Sequence, residues 1–232
     1  MKKHIIFSLI AASSVMFAGC GKKTVGDSKT AEETSAAATS EEVTEEEHIE
    51  DNTYVPLATV RERNIISAEN FDYEIYNNGV TITKYTGKDS NVEIPAEIDG
   101  VPVNEIGFYA FEANSNVTSV TLPESVMTIS EGAFSSCTAL AQINLPSSLT
   151  LIEEGAFAGC TSITELTVPA GVQRIQEGTF VYCTGLKSLT VLSPELKYEN
   201  WGLESLPDLT VYAPEGSAAA EWAGAMGKYS VY

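Results

Sequence analysis

The chain is poor in the side chains that most enzymes and nucleic-acid binders depend on. Histidine occurs only twice, at His4 and His48, and both fall outside the stretch with the composition of a folded domain. The folded part therefore offers no imidazole for general-base work or for zinc. Basic residues are also scarce, with 13 Lys+Arg against 32 Asp+Glu and a formal net charge of −19. Binding to a phosphate backbone relies on lysine and arginine displacing counterions, so nucleic acid is excluded as a partner. The same balance disfavours adhesion to anionic lipid headgroups through a basic patch. The apolar run over residues 5–17 is too short to span a bilayer. No residue pattern implies a cofactor. What remains, in 232 residues of which 44% are hydrophobic, is enough apolar material for a sizeable core.

The N-terminus has the layout of a secretory signal. Lys2 and Lys3 precede the apolar run, and Ala18 and Gly19 are small residues before Cys20. The ending "FAGC" resembles the lipobox of bacterial lipoproteins, with Phe17 where leucine is usual. The resemblance implies that Cys20 is lipidated and becomes the mature N-terminus, anchoring the protein to the membrane on its extracytoplasmic side. Two acyl chains on one residue suffice for stable anchoring. Residues 22–53 contain no aromatic side chain, and residues 41–51 are nearly an acidic run. Such a segment buries too little to offset its ordering entropy and is expected to be a disordered, self-repelling tether.

From residue 92 the chain repeats itself. Pro123, Pro146 and Pro169 stand 23 residues apart, as do Ile129, Ile152 and Ile175; Gly132, Gly155 and Gly178; Phe134, Phe157 and Phe180; and Cys137, Cys160 and Cys183. An imperfect unit before them keeps Ile106, Phe111, Val117, Val120 and Leu122, and a shortened one after them keeps Leu206, Leu209 and Val211. Within each unit, Leu140-x-x-Ile143-x-Leu145 and its equivalents alternate apolar with polar residues, the signature of a short strand in a stacked coil. A 23-residue turn cannot bury its apolar side alone, so stacking must create the core. The glycine column is expected at positive φ or at a close backbone approach.

The unit is similar to the BspA-type leucine-rich repeats of bacterial surface proteins. The resemblance implies an α/β repeat solenoid, a right-handed coil with short parallel strands on its concave face. It also implies export and a role in surface attachment or protein binding. The repeats would occupy 92–212. A hairpin around Asn78-Gly79, within a linker and cap over 54–91, would cover one end. A helix from about Ser217 to Met226, within a cap over 213–232, would cover the other.

Three columns remain to be interpreted. The periodic cysteines are expected as reduced, small apolar core residues, although a rung spacing of ~5 Å does not forbid a disulfide between neighbours. Glu131, Glu154 and Glu177 should stack on a solvated edge, or hold a hard cation weakly. The outward strand positions are Ser119 and Thr121, Gln142 and Asn144, Glu165 and Thr167, Ser188 and Thr190, and Asp208 and Thr210. Of these, Gln142, Asn144, Glu165, Thr167, Ser188 and Thr190 tile the middle of the concave sheet and form the candidate binding patch. The expected function is non-catalytic binding of a protein or surface polymer by a lipid-anchored module, the alternative being a structural envelope role without a specific ligand.

Overall fold

The computed structural model describes residues 64–230. The expected signal peptide over 1–19, the expected lipidation site Cys20, the expected tether over 20–53 and the start of the 54–91 segment lie outside the described residues. The first strands are β1 (Ile66–Ser67), β2 (Phe71–Tyr76), β3 (Gly79–Tyr85), β4 (Asn91–Glu93), β5 (Glu97–Ile98) and β6 (Val101–Ile106). The repeats follow with β7 (Ser119–Thr121), β8 (Thr128–Ile129), β9 (Gln142–Ile143), β10 (Leu151–Ile152), β11 (Glu165–Val168), β12 (Arg174–Ile175), β13 (Ser188–Val191) and β14 (Thr210–Tyr212). The helix α1 (Ala218–Ala225) and β15 (Tyr229–Ser230) finish the described chain. Among the described residues α1 is the single helix, so the repeats are built from strands and turns.

Each coil contributes to two parallel ladders. The expected one carries the Leu-x-x-Ile-x-Leu strands: β4, β7 and β9 pair in register, and β11, β13, β14 and β15 do the same. The other runs through β3, β6, β8, β10 and β12, with Ile106, Ile129, Ile152 and Ile175 side by side. This second ladder extends the sequence reading, which placed the isoleucines in the core without assigning them a strand. From β6 to β12 only two residues per coil pair there, too few to show an alternation.

The third side of each coil is the turn that carries phenylalanine, and it too is stitched from rung to rung by backbone. Phe111 N–H donates to Ala133 O at 2.8 Å, Phe134 to Ala156 at 2.8 Å, and Phe157 to Thr179 at 3.1 Å. Gly132, Gly155 and Gly178 adopt φ of 60°, 59° and 67°, as their column required. Tyr109 holds the same backbone conformation one coil earlier, with φ 53°. The core inside these three sides is mostly apolar, and the buried hydroxyls of Ser130 and Thr179 are hydrogen-bonded, to Glu105 Oε1 and Gln176 O. Its axis is a ladder of rings: Tyr85, Phe111, Phe134, Phe157 and Phe180, with successive centroids 5.1, 4.9, 5.5 and 6.0 Å apart. Each buried ring contributes roughly 1.5–3 kcal/mol by burial, with an added ~0.5–1.5 kcal/mol per stacked pair.

The hairpin turns one residue earlier than expected. Asn77 and Asn78 both have positive φ, 48° and 61°, and Gly79 already pairs with Tyr76. Two asparagines tolerate the left-handed region of a tight hairpin turn. A Cβ at Gly79 would lie 2.0 Å from Asn104 Nδ2, so a larger residue there would require the Asn104 side chain to move aside. Strand β3 joins the second ladder through β6. At the other end Ser217 caps α1, its Oγ accepting from Ala220 N at 3.2 Å. Trp201 donates its indole N–H to Ile175 O at 3.1 Å, closing the last edge of the second ladder. Tyr198 stacks on Trp222 of α1 at 4.4 Å and leans on Trp201 at 5.0 Å.

Candidate functional site

The alternation of the Leu-x-x-Ile-x-Leu strands puts every second side chain outward. Gln142, Asn144, Glu165 and Thr167 are exposed there, and Ser188 and Thr190 are half-buried. The register carries the two columns on through Thr210 beside Ser188 and Tyr212 beside Thr190. Asp208 and Thr210 were expected to be that pair. The shortened last coil moves the columns two residues along, so Asp208 precedes β14 and Tyr212 joins the face. Strand β15 then sets Ser230 beside Tyr212, a rung that the sequence reading did not foresee.

Five of the six candidate residues make no side-chain hydrogen bond among the described residues. Asn144 is different. Its Oδ1 accepts from Leu122 N at 2.7 Å and its Nδ2 donates to Leu122 O at 2.9 Å. The amide therefore stands in for backbone pairing on the neighbouring coil, and its polar atoms are used within the fold. The ladder is interrupted at this coil: β9 pairs with β7 but not with β11. An amide at a position where adjacent coils carry Thr121 and Thr167 was the sequence signal for this wedge.

The cysteine column is reduced and buried, and its thiols are not inert filler. Cys137 Sγ donates to Phe111 O at 3.0 Å, Cys160 to Phe134 O at 3.1 Å, and Cys183 to Phe157 O at 3.0 Å. Each thiol ties its coil to the one before. Phe134 O also accepts Cys137 N, and Phe157 O accepts Cys160 N, so these carbonyls are doubly engaged. Burial raises all three thiol pKa values, to about 11 for Cys137 and about 12 for Cys183. Cys160 is raised by burial first, then by the neighbouring Cys183 and Cys137. Nucleophilic or metal chemistry needs a thiolate, which these surroundings oppose.

The glutamate column is partnered at both ends. Tyr109 OH donates to Glu131 Oε1 at 2.6 Å, and Asn200 Nδ2 donates to Glu177 Oε1 at 2.9 Å. At the Glu177 end an open depression of about 480 Å³ is lined by Glu154, Arg174, Gln176, Glu177, Glu199 and Asn200. Arg174 Nε there meets Glu199 Oε2 at 3.2 Å. Among the described residues no group of three His, Cys, Asp or Glu side chains is arranged to hold a metal ion. No described helix is long and apolar enough to cross a membrane.

Parallel strands recurring every 23 residues around a phenylalanine ladder define a leucine-rich-repeat solenoid. The chain belongs to the BspA type leucine rich repeat family, whose model matches residues 74–202 in six copies. The match begins within the hairpin, consistent with Tyr85 filling the first place in the ring ladder. Among solved structures, the T. pallidum leucine rich repeat protein is 35% identical with a TM-score of 0.60, over 64% of this chain and 71% of that one. A leucine-rich repeat protein from Bacteroides capillosus is 30% identical with a TM-score of 0.50, over 55% of this chain and 97% of that one. No curated protein sequence matches.

Proposed function

We propose that this protein is a lipid-anchored, extracytoplasmic binding module, acting without catalysis, that engages a protein or surface polymer through its Leu-x-x-Ile-x-Leu face. One observation carries the reading. Gln142, Glu165, Thr167, Ser188 and Thr190 present polar side chains from three coils, and the fold itself uses none of them in a side-chain hydrogen bond among the described residues. An extended surface of uncommitted donors and acceptors is what a repeat solenoid offers a partner. Tyr212 adds an aromatic side chain at the end of the same columns, the residue type enriched in binding hot spots.

Anchoring through Cys20 and the tether would hold this face away from the membrane. Metabolic labelling with a fatty acid checks the anchor: the wild type takes up label and Cys20→Ala does not. Equal labelling of both rejects it. The face is checked by replacing Gln142 and Thr167 together with arginine. Both are exposed and neither supports the core, so the melting temperature should stay put. Binding to host or neighbouring-cell surface material should be lost. Undiminished binding by a folded double variant rejects this face as the site. Asn144 is left unchanged in this test because its amide holds Leu122.

A further inference from the structure

One rung is missing from the ladder in the middle of the candidate face. At the start of each Leu-x-x-Ile-x-Leu strand a backbone N–H donates to a carbonyl one coil earlier. Thr118 N reaches Ser90 O at 2.7 Å, Ala141 N reaches Thr118 O at 2.9 Å, Lys187 N reaches Thr164 O at 2.9 Å and Thr210 N reaches Lys187 O at 2.8 Å. The equivalent bond from Thr164 N to Ala141 O is not made, and neither atom has another hydrogen-bond partner among the described residues. The same two coils stay joined on their other sides, where Phe134 N donates to Ala156 O at 2.8 Å and Gln173 N donates to Thr150 O at 2.9 Å. The opening is therefore a seam confined to this face, between β9 and β11.

The seam also thins the cover of the core. Ile143 and Leu145 of this coil are half-buried. Their equivalents Val120 and Leu122, Leu166 and Val168 are buried. On its other flank this coil is held by the Asn144 amide on the Leu122 backbone, an arrangement that the neighbouring threonines at 121 and 167 do not make.

The chemistry of the seam selects its occupant. A free N–H and a free C=O on neighbouring coils are answered together by one peptide unit of an extended chain, as when a strand is added to a sheet edge. Ile143 and Leu145 recur at every second residue, ~7 Å apart, which is the repeat of side chains along such a chain. Charge narrows the choice further. Glu165 stands exposed beside the seam, in a protein of formal net charge −19, so a basic segment is favoured over an acidic one. A neutral glycan supplies hydroxyls but neither the apolar side chains nor the positive charge.

We infer that an extended, basic segment of a partner protein docks along the seam between β9 and β11. Its backbone engages Thr164 N and Ala141 O, its apolar side chains cover Ile143 and Leu145, and a lysine or arginine meets Glu165. The inference rests on the reading of this face as the binding surface, and it narrows the partner to a polypeptide.

A random peptide library displayed on phage, panned on the full chain, supplies the probe. Enriched peptides should combine Lys or Arg with apolar residues. A synthetic copy should bind the wild type and lose at least about tenfold in affinity when its backbone is N-methylated at alternate residues, because that removes its N–H donors. Thr164→Pro deletes an N–H that the fold does not use, so it should weaken binding similarly at an unchanged melting temperature. The N-methylated peptide carries the test even where proline disturbs the strand. Amide exchange gives a reading on the free wild type: Thr164 should exchange fast and Lys187 slowly, and the peptide should slow Thr164. A protected Thr164 amide in the free protein, or acidic peptides alone, would overturn the inference. Peptides that survive N-methylation but are lost on changing Gln142 and Thr167 together to arginine would overturn the seam and leave the face as the binding surface. No enriched peptide would also overturn the seam, while surface material that binds the wild type and not that double variant would keep the face.

Discussion

Replacing Cys160 tests how the coils are joined, because the structure reverses a simple expectation. From the sequence alone, Cys160→Ser would bury an unpaired hydroxyl in an apolar column at a cost of ~1–3 kcal/mol. Cys160→Ala should then be the milder change. The thiol, however, points at Phe134 O, 3.1 Å away, and a serine hydroxyl at the same place has the same acceptor. Alanine loses that donor and one buried sulfur. Because Phe134 O keeps its bond from Cys137 N, the carbonyl is not orphaned, and the lost bond is worth ~0.5–1.5 kcal/mol. The lost burial adds ~0.8 kcal/mol. Cys160→Ala should therefore cost about 1.3–2.3 kcal/mol in total. Cys160→Ser keeps the bond and should cost about 1 kcal/mol or less. At ~2–4 °C per kcal/mol for a domain of this size, alanine should melt several degrees below serine. Urea unfolding followed by circular dichroism, with melting as a second measure, gives the order of the two. Serine less stable than alanine by more than about 1 kcal/mol would refute the donor role of the thiol.

Other outcomes follow from the same geometry. Gly155→Ala should destabilise by about 1–2 kcal/mol at φ 59°, although a Cβ there would meet nothing closer than 3.8 Å; an unchanged unfolding midpoint would show that the left-handed turn is not required. Tyr182 holds φ 61° while 71% exposed, so Tyr182→Gly should leave stability equal or higher, and a clear loss would mean that the ring packs in solution. Trp201→Phe should cost ~1–3 kcal/mol by removing the donor to the buried Ile175 carbonyl, measured by urea unfolding. The thiols have folded pKa values above their unfolded ones, so the stability they confer is complete below the unfolded value near 9 and is lost as pH rises towards 11 and 12. Stability should fall across that window, and less steeply in a variant with Cys137, Cys160 and Cys183 replaced by alanine; equal slopes would remove the thiols from the alkaline transition.

Much of this fold is legible in the sequence because one pattern recurs in register. The columns at Phe134, Ile152, Cys160 and Leu166 each describe a position in the coil rather than a single residue, and stacking turns each into a contact. The positive φ at Gly132, Gly155 and Gly178 could be anticipated for the same reason. A parallel left-handed column escaped notice because Ala113, Ser136, Gly159 and Tyr182 share the conformation but not the residue type. Chemistry that crosses from one coil to the next was hidden. The thiol-to-carbonyl bonds need a geometry that spacing does not reveal. Asn144 looks like any outward polar residue until its amide is seen on the Leu122 backbone. The register at Asp208 failed where the last coil shortens and the period no longer holds. The binding patch was readable as a set of outward positions, but which of its polar groups the fold already uses was not.

The claim that the Leu-x-x-Ile-x-Leu face is the binding surface is tested most directly by site-specific photo-crosslinking. A photoreactive side chain at Thr167, in the middle of that face, is compared with one at Ala158, on the phenylalanine-bearing turns, in protein exposed to intact surface material. The account predicts a discrete covalent adduct from Thr167 and none from Ala158. An adduct from Ala158 alone would move the site to the turns and contradict it.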